Sequence, residues 1–172
     1  LLSLPLRPQV LDAIYCMGVI QHTPKPEIVI RTLPRYLKPG GKLAYNFYEE
    51  GIWRRLQILK YLLRLVTPYL PVKTTMLISR TLVRYLFPLT KFLSRLPKLR
   101  ILNHFIPIAA VHDRQLSEAD QFIWTLLDTF DWYGARYEKC QNHNSVARQL
   151  REEGMLDIIS HPGLARAKKG NI

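Results

Sequence analysis

The chain has 172 residues, a hydrophobic content of 48% and a formal net charge of +12. Its length suits one ordinary domain with a buried core, and its composition excludes a wholly disordered chain. No run of about 18 uncharged apolar residues occurs, so the sequence predicts no membrane-spanning segment. The first residues also lack the charged start and apolar centre of a signal peptide.

The positive charge is concentrated in one stretch of the sequence. Between Gly51 and His112 there are eleven Lys or Arg residues and no Asp or Glu. A surplus of this kind favours an acidic partner, such as a nucleic acid, an anionic lipid or a phosphorylated substrate. Apolar residues recur at helical spacing in the same stretch, which predicts basic amphipathic helices.

Neither the cysteines nor the histidines have the spacing of metal ligands. Cys16 and Cys140 are far apart in the sequence, and two free thiols in a reducing compartment are favoured over a disulfide. The five histidines are equally scattered, so no metal site is predicted. No nucleophile motif and no phosphate-binding loop is found either.

The first regular elements form a strand–helix–strand unit. Ala13–Met17 is a short apolar run typical of a strand buried on both faces of a parallel sheet. Residues 23–24, Thr-Pro, predict a helix start, and Pro34 predicts a kink or an early end of that helix. The basic and glycine-rich run 38–41 stops the helix before a second strand over 42–48. Parallel strands joined by a helix make a right-handed βαβ unit.

Helical patterns follow this unit. They predict helices over Ile52–Val66 and over Lys73–Phe87, with a break at Pro88. A further helix is predicted over Leu116–Leu127, with Ser117 as its cap.

The C-terminal part is mixed. Residues 130–143 are aromatic, polar and predicted to be a loop. A short amphipathic helix is predicted over Ser145–Glu153, with Ser145 as its cap, and Gly154 lies just beyond its end. The strands Met155–Ser160 and Leu164–Lys168 close the chain on either side of a Pro-Gly turn.

Two parts of the sequence resemble class I S-adenosylmethionine-dependent methyltransferases of the type 11/12-like group. In the first part, Asp12 precedes a strand, Gly-Val-Ile-Gln-His at 18–22 follows it, and Leu-Lys-Pro-Gly-Gly at 37–41 precedes the next strand. In the second part, the run from Asp131 to Ile158 is similar to the segment that leads into the sixth strand of these enzymes.

The resemblance implies an α/β fold: part of a doubly wound, Rossmann-like sheet, with strands in the family's order 4-5-7-6 and a helical insertion. The implied organisation is a core half over 1–50, a basic helical insertion or lid over 51–128, and a closing helix and two strands over 129–172. The family's glycine-rich cofactor loop has no counterpart here, so we expect the C-terminal portion of a methyltransferase. Such a chain is expected to bind the cofactor weakly or not at all and to be inactive alone.

The cofactor implied by the resemblance is S-adenosyl-L-methionine, with methyl transfer to an unidentified acceptor. Residues after the first strand would bind the cofactor, aromatic residues with one acid would bind the acceptor, and two further side chains would serve as general base. For His22 the alternative is a local hydrogen bond at a helix entry, and for Trp132 and Tyr133 it is packing of the insertion. The cofactor-binding set is Cys16, Met17, Gly18 and His22. The acceptor-binding set is Tyr48, Asp131, Trp132 and Tyr133. The two general-base candidates are His143 and Tyr137.

The basic helices leave three interpretations open. They form a solvated positive face, a contact with an anionic membrane or a lipid-linked acceptor, or a nucleic-acid site. The last is disfavoured, because no nucleic-acid module is found and aromatic residues are not interleaved with the basic ones. The alternative to an enzyme is therefore a non-catalytic α/β module that binds anionic membrane or a partner. We expect a cytoplasmic location, peripheral at the membrane in the second interpretation, and self-association through an exposed sheet edge.

Overall fold

The computed structural model describes residues 4–170, and among these all side chains except those of residues 53 and 55. The described chain forms two compact units. A sheet unit contains the residues up to Glu50 and those from Tyr137 onward, and a helical unit contains Gly51–Arg136. Four strands and six α-helices lie in the described residues, which confirms the predicted α/β class.

The predicted βαβ unit is confirmed. Strand β1 (Leu11–Cys16) pairs in parallel with β2 (Leu37–Asn46), and helix α1 (Pro26–Thr32) lies between them in the chain. The helix starts later than predicted. Thr23 has an extended backbone, and its hydroxyl donates to the Ile20 carbonyl at 2.7 Å. That hydroxyl therefore closes a preceding 3-10 turn and does not cap α1.

Proline and glycine shape the end of this unit. The α-helical part ends at Thr32, and Leu33–Tyr36 continues as a 3-10 helix that contains Pro34. This is the early end predicted from a proline that lacks an N–H donor. Gly41 has no room for a side chain, because a Cβ there would lie 2.9 Å from the Lys38 carbonyl oxygen. The β1–β2 pair therefore depends on glycine at this position.

Two antiparallel strands complete the sheet. Strands β3 (Met155–His161) and β4 (Leu164–Lys169) pair with each other, and β4 pairs with β2, so that the order is β1-β2-β4-β3. Helix α6 (His143–Glu152) precedes them and starts two residues earlier than predicted. Asn142 is its cap, because its side-chain oxygen accepts hydrogen bonds from the backbone N–H groups of Asn144 and Ser145.

The hydrophobic core lies on one face of the sheet. Helices α1 and α6 both pack there, and the core side chains they share with the strands include Val29, Ile30, Leu43, Val146 and Leu150. The prediction that the first strand is buried on both faces is wrong. On the opposite face Tyr15 is 77% exposed and borders an open groove of about 470 Å³. Both helices of the unit pack on the other side of the sheet, so this groove is open to solvent.

The helical unit contains α2 (Ile52–Arg55), α3 (Ile58–Arg64), α4 (Val72–Arg95) and α5 (Glu118–Gly134). The single predicted helix over 52–66 is interrupted, because the backbone of Gln57 is not helical.

The predicted break at Pro88 is wrong: α4 continues through it. Phe87 and Thr90, on either side, are buried, and the Phe87 ring meets Phe122 of α5 edge to face with centroids 5.4 Å apart. This packing offsets the lost backbone hydrogen bond.

Helix α5 also extends beyond its predicted end and includes five residues predicted as loop, 130–134. Ser117 caps its start as predicted, by accepting from the Asp120 backbone N–H. Near the other end Thr129 accepts from the Ala109 N–H at 2.9 Å, and the buried Tyr133 donates to the Pro107 carbonyl at 2.7 Å. These contacts with a distant segment extend the helix through an aromatic and polar stretch.

Candidate functional site at the carboxyl ends of the parallel strands

The carboxyl ends of β1 and β2 meet at one edge of the sheet, as parallel strands require. The Gly18 backbone N–H, just after β1, donates to the side-chain oxygen of Asn46, the last residue of β2, at 2.6 Å. Gly18 has φ +72°, and no atom lies within 4 Å of the position that a Cβ would occupy. The loop after β1 therefore exposes an open stretch of backbone at the place where ligands bind in doubly wound sheets.

A segment from the far end of the chain lies along this edge. The Lys139 N–H donates to the Gln21 carbonyl at 2.8 Å, and the Gln141 N–H donates to the Tyr48 carbonyl at 2.8 Å. Glu50 returns a hydrogen bond to the Gln141 carbonyl. The loops that follow β1 and β2 are thus joined by residues more than ninety positions away in the sequence.

Three of the predicted site residues are brought together here. His22 Nδ1 lies 3.0 Å from the Tyr137 carbonyl oxygen, and its ring meets the ring of Tyr48 edge to face, with centroids 5.6 Å apart. The alternative interpretation assumed a local hydrogen bond for His22, whereas this contact joins its ring to a residue 115 positions away. This contact positions the imidazole between the two strand-end loops.

His143, predicted as a general base, has a partner that the sequence did not indicate. Its Nδ1 lies 2.9 Å from Glu49 Oε1, which also accepts from the His143 backbone N–H at 3.3 Å. A carboxylate at Nδ1 favours the tautomer whose proton is on Nδ1, which leaves Nε2 as a proton acceptor. Glu49 directly follows the predicted second strand, and that position was the only sequence signal for it.

Cys16 is the last residue of β1, and Met17 follows it at this edge of the sheet. The Cys16 thiol belongs to the core cluster, and burial raises its pKa above the ordinary value. Met17 is half-buried. A buried thiol of raised pKa is a poor nucleophile, so a nucleophilic role for the Cys16 side chain is disfavoured.

The remaining predicted residues, Asp131, Trp132 and Tyr133, belong to α5 in the helical unit. The Trp132 ring is covered by the Lys60 ammonium, which lies 4.2 Å from the ring centroid, and Lys60 is itself buried. Tyr133 is fully buried and hydrogen-bonded. Tyr133 therefore packs inside the helical unit.

The helical unit contains a polar cavity of its own, of about 600 Å³. Trp132 lines it together with Asn103, His112 and Arg114. His112 Nε2 lies 3.0 Å from the Thr90 hydroxyl, and burial lowers the pKa of this histidine, with a smaller contribution from the charge of Lys91. Sequence reasoning did not identify this cavity, because its residues come from three separate segments.

Within residues 4–170, no three His, Cys, Asp or Glu side chains are placed to hold a metal ion. No helix in that described range is long and apolar enough to cross a membrane.

Comparison with known proteins finds a similar family for the N-terminal part of the chain. The family described as "Methyltransferase domain" matches residues 1–45, which include β1, α1 and most of β2. Over residues 1–45 this match confirms the predicted resemblance to class I S-adenosylmethionine-dependent methyltransferases, and the second similar run, residues 131–158, lies outside the matched part.

The similar curated proteins include ubiquinone biosynthesis O-methyltransferases from three strains of Xanthomonas oryzae pv. oryzae. Each is 53% identical over 32 residues, and the match covers 19% of this chain and 13% of the relative. Among solved structures, a "possible exported protein" from Bordetella parapertussis covers 92% of this chain and 39% of its own. It is 16% identical with a TM-score of 0.38, and this similarity is too low to support a conclusion about fold or function.

Proposed function

We propose that the chain is part of an S-adenosylmethionine-dependent methyltransferase, and that the carboxyl edge of β1 and β2 is its share of the cofactor site. The observation that carries this proposal is the methyltransferase-domain match over residues 1–45, which ends within β2. In the proposed correspondence, β1, β2, β4 and β3 are the family's strands 4, 5, 7 and 6, and the helical unit is an insertion after the fifth.

The residues at this edge fit such a cofactor. Open backbone at Gly18, with its positive φ, leaves space for a ligand to approach the main chain closely. His22 lies beside it, fixed by Tyr48 and the Tyr137 carbonyl. When bound, S-adenosylmethionine supplies an electrophilic methyl group on a sulfonium, which an acceptor atom takes. The protein's task is then alignment of the acceptor and removal of its proton.

An oxygen acceptor agrees best with the side chains present. A hydroxyl must lose its proton when it is methylated, and the pair of His143 and Glu49 provides a base whose ring is fixed by a carboxylate. The names of the curated relatives, which are O-methyltransferases, support the same choice. We therefore propose a small-molecule or lipid-linked hydroxyl compound as the acceptor.

Cofactor binding is tested by a nuclear magnetic resonance titration of the ¹⁵N-labelled chain with S-adenosylhomocysteine, the demethylated product. Weak binding is expected, with shifts confined to the amides of residues 16–22, because the sequence contains no glycine-rich cofactor loop. Gly18→Ala should abolish these shifts. Gly154→Ala is the matched control, because Gly154 also has φ +72° but lies at the opposite edge of the sheet. Absence of shifts at millimolar ligand, or equal loss in both variants, would favour the non-catalytic module.

The proposed base is tested by the ring nitrogen shifts of His143 at a pH where the ring is neutral. The native chain should show the proton on Nδ1, and Glu49→Gln should reduce that preference. Glu50→Gln is the control, because Glu50 uses its backbone in the observed contact. A native ring protonated on Nε2 would contradict the assignment, since that nitrogen could then accept no proton.

A further inference from the structure

Helix α4 exposes a strip of large apolar side chains. Leu77, Tyr85, Leu89 and Phe92 are separated by eight, four and three residues, which places them along one side of an α-helix. Their exposed fractions run from 46% for Leu89 to 72% for Tyr85. The opposite side of the helix is buried at Thr75, Ser79, Val83 and Phe87. The strip is therefore a second apolar surface on α4, and the core of the unit does not use it.

A row of basic side chains runs beside this apolar strip. Lys73, Arg80 and Arg84 are separated by seven and four residues, and all three are exposed. Arg84 follows Leu77 by seven residues and precedes Tyr85 by one, so the row and the strip are neighbours on the helix surface. No acidic residue occurs on α4 or anywhere between Gly51 and His112. The exposed side of α4 is thus cationic along one border and apolar along the other.

This combination fits the surface of an anionic bilayer. In-plane membrane helices bury an apolar strip at the headgroup boundary, while Lys and Arg beside it meet the lipid phosphates. The charges on α4 exclude a spanning orientation, in agreement with the absence of a membrane-crossing helix in the described part of the chain. A nucleic acid would use the basic row but would leave the aliphatic residues Leu77 and Leu89 without a function.

We propose that α4 lies on anionic lipid membranes, with Leu77, Tyr85, Leu89 and Phe92 inserted and Lys73, Arg80 and Arg84 at the phosphates. This proposal does not depend on the methyltransferase function, since it uses only the helical unit. If both hold, the helical unit brings the enzyme to the membrane in which a lipid-linked acceptor is dissolved.

The proposal is tested by sedimentation of the full chain with two kinds of vesicle. One is phosphatidylcholine alone, and the other is phosphatidylcholine with phosphatidylglycerol. The chain should sediment with the anionic vesicles and should be released in part by added salt. Arg80→Gln with Arg84→Gln should lower the partition coefficient about thirtyfold, since this factor corresponds to two basic residues that each contribute about 1 kcal/mol near an anionic surface. Leu77→Ser with Phe92→Ser should lower it at least as much.

Matched controls come from the open face of the sheet. Arg166→Gln with Lys168→Gln removes the same charge, and Leu156→Ser with Leu164→Ser removes two exposed apolar side chains. Both pairs should leave the partition unchanged, and circular dichroism should show native helix content in all four variants. Equal losses in controls and α4 variants would overturn the proposal, as would equal binding to neutral vesicles. Binding to single-stranded RNA without binding to vesicles would replace it with the nucleic-acid interpretation.

Discussion

At the residue scale, two buried tyrosines differ in a single hydrogen bond. Tyr133 in the helical unit donates its hydroxyl proton to the Pro107 carbonyl. Tyr45 lies in the core of the sheet unit, where burial raises its pKa above the ordinary value. Its hydroxyl has no hydrogen-bond partner among the described residues. A buried hydroxyl stabilises the fold only when it is paired, so the two residues should respond differently to loss of the hydroxyl.

Tyr133→Phe should lower the free energy of unfolding by about 1 kcal/mol, because the Pro107 carbonyl loses its partner. Tyr45→Phe should leave that free energy unchanged or raise it by up to about 1 kcal/mol, because it removes an unpaired polar atom from the core. Urea denaturation of both variants measures the difference. A large destabilisation by Tyr45→Phe would mean that its hydroxyl is paired in solution.

The Cys16 thiol provides a second test at this scale. Its pKa is raised by burial, so less thiolate is present near neutral pH than for an ordinary cysteine. In a Cys140→Ser background, iodoacetamide should modify Cys16 much more slowly in the native chain than in urea, and the native rate should still be rising at a pH where the urea rate has levelled off. Equal native and unfolded rates would place the thiol at the surface.

The residue scale also shows where sequence reasoning reached its limit. Gly18, His22 and Tyr48 were predicted as site residues from the loops after two parallel strands, and such strands bring their carboxyl ends together. The contact of His143 with Glu49 spans 94 positions, and no local pattern encodes a contact of that kind. For Tyr133 an aromatic run predicted a pocket wall, but the side chain is buried within the helical unit.

At the scale of elements, α4 is the helix in which tertiary packing prevails over local propensity. Pro88 predicted a break, since it removes one backbone hydrogen bond and crowds the preceding turn. The flanking residues Phe87 and Thr90 are nevertheless buried, and the helix continues to Arg95. Turn and cap signals did predict the early end of α1 and the start of α5, because those signals act within a few residues.

Pro88→Ala should therefore stabilise the chain, by about 1 to 3 kcal/mol. Alanine restores the missing N–H donor to the Arg84 carbonyl, and position 88 is exposed, so no packing is lost. Thermal unfolding followed at 222 nm measures the gain. Leu89→Ala is the control for a nearby exposed position, where little change in stability is expected. A destabilised Pro88→Ala variant would show that the ring itself makes necessary contacts.

At the scale of the whole molecule, the sheet has an unprotected side. In the described residues, β1 has a partner on one edge only, and Tyr15 on the open face is 77% exposed. Unpaired strand edges beside apolar surface favour association with another copy of the chain. The predicted self-association through this edge therefore remains a prediction with a defined location.

Tyr15→Glu should shift the chain toward the monomer, because a charge on the open face opposes its burial. Light scattering over a range of protein concentrations measures the change in mean mass. Tyr69→Glu is the matched control, since Tyr69 is equally exposed at 76% but belongs to the helical unit. A native chain that is monomeric at all concentrations would contradict the prediction, as would an equal effect of both variants.

The bridge between Glu49 and Gln141 has a consequence for how this chain can diversify. In sequence, the sheet unit is interrupted by Gly51–Arg136. The bridge holds the two flanking parts of the sheet unit side by side, and the Glu50 N–H donates to the Gln141 carbonyl. Because closing a longer loop between two adjacent points adds little entropic cost, the length of the interruption is nearly free to vary. We therefore expect that relatives can carry a different segment between Glu50 and Tyr137 while the register of the four strands stays the same.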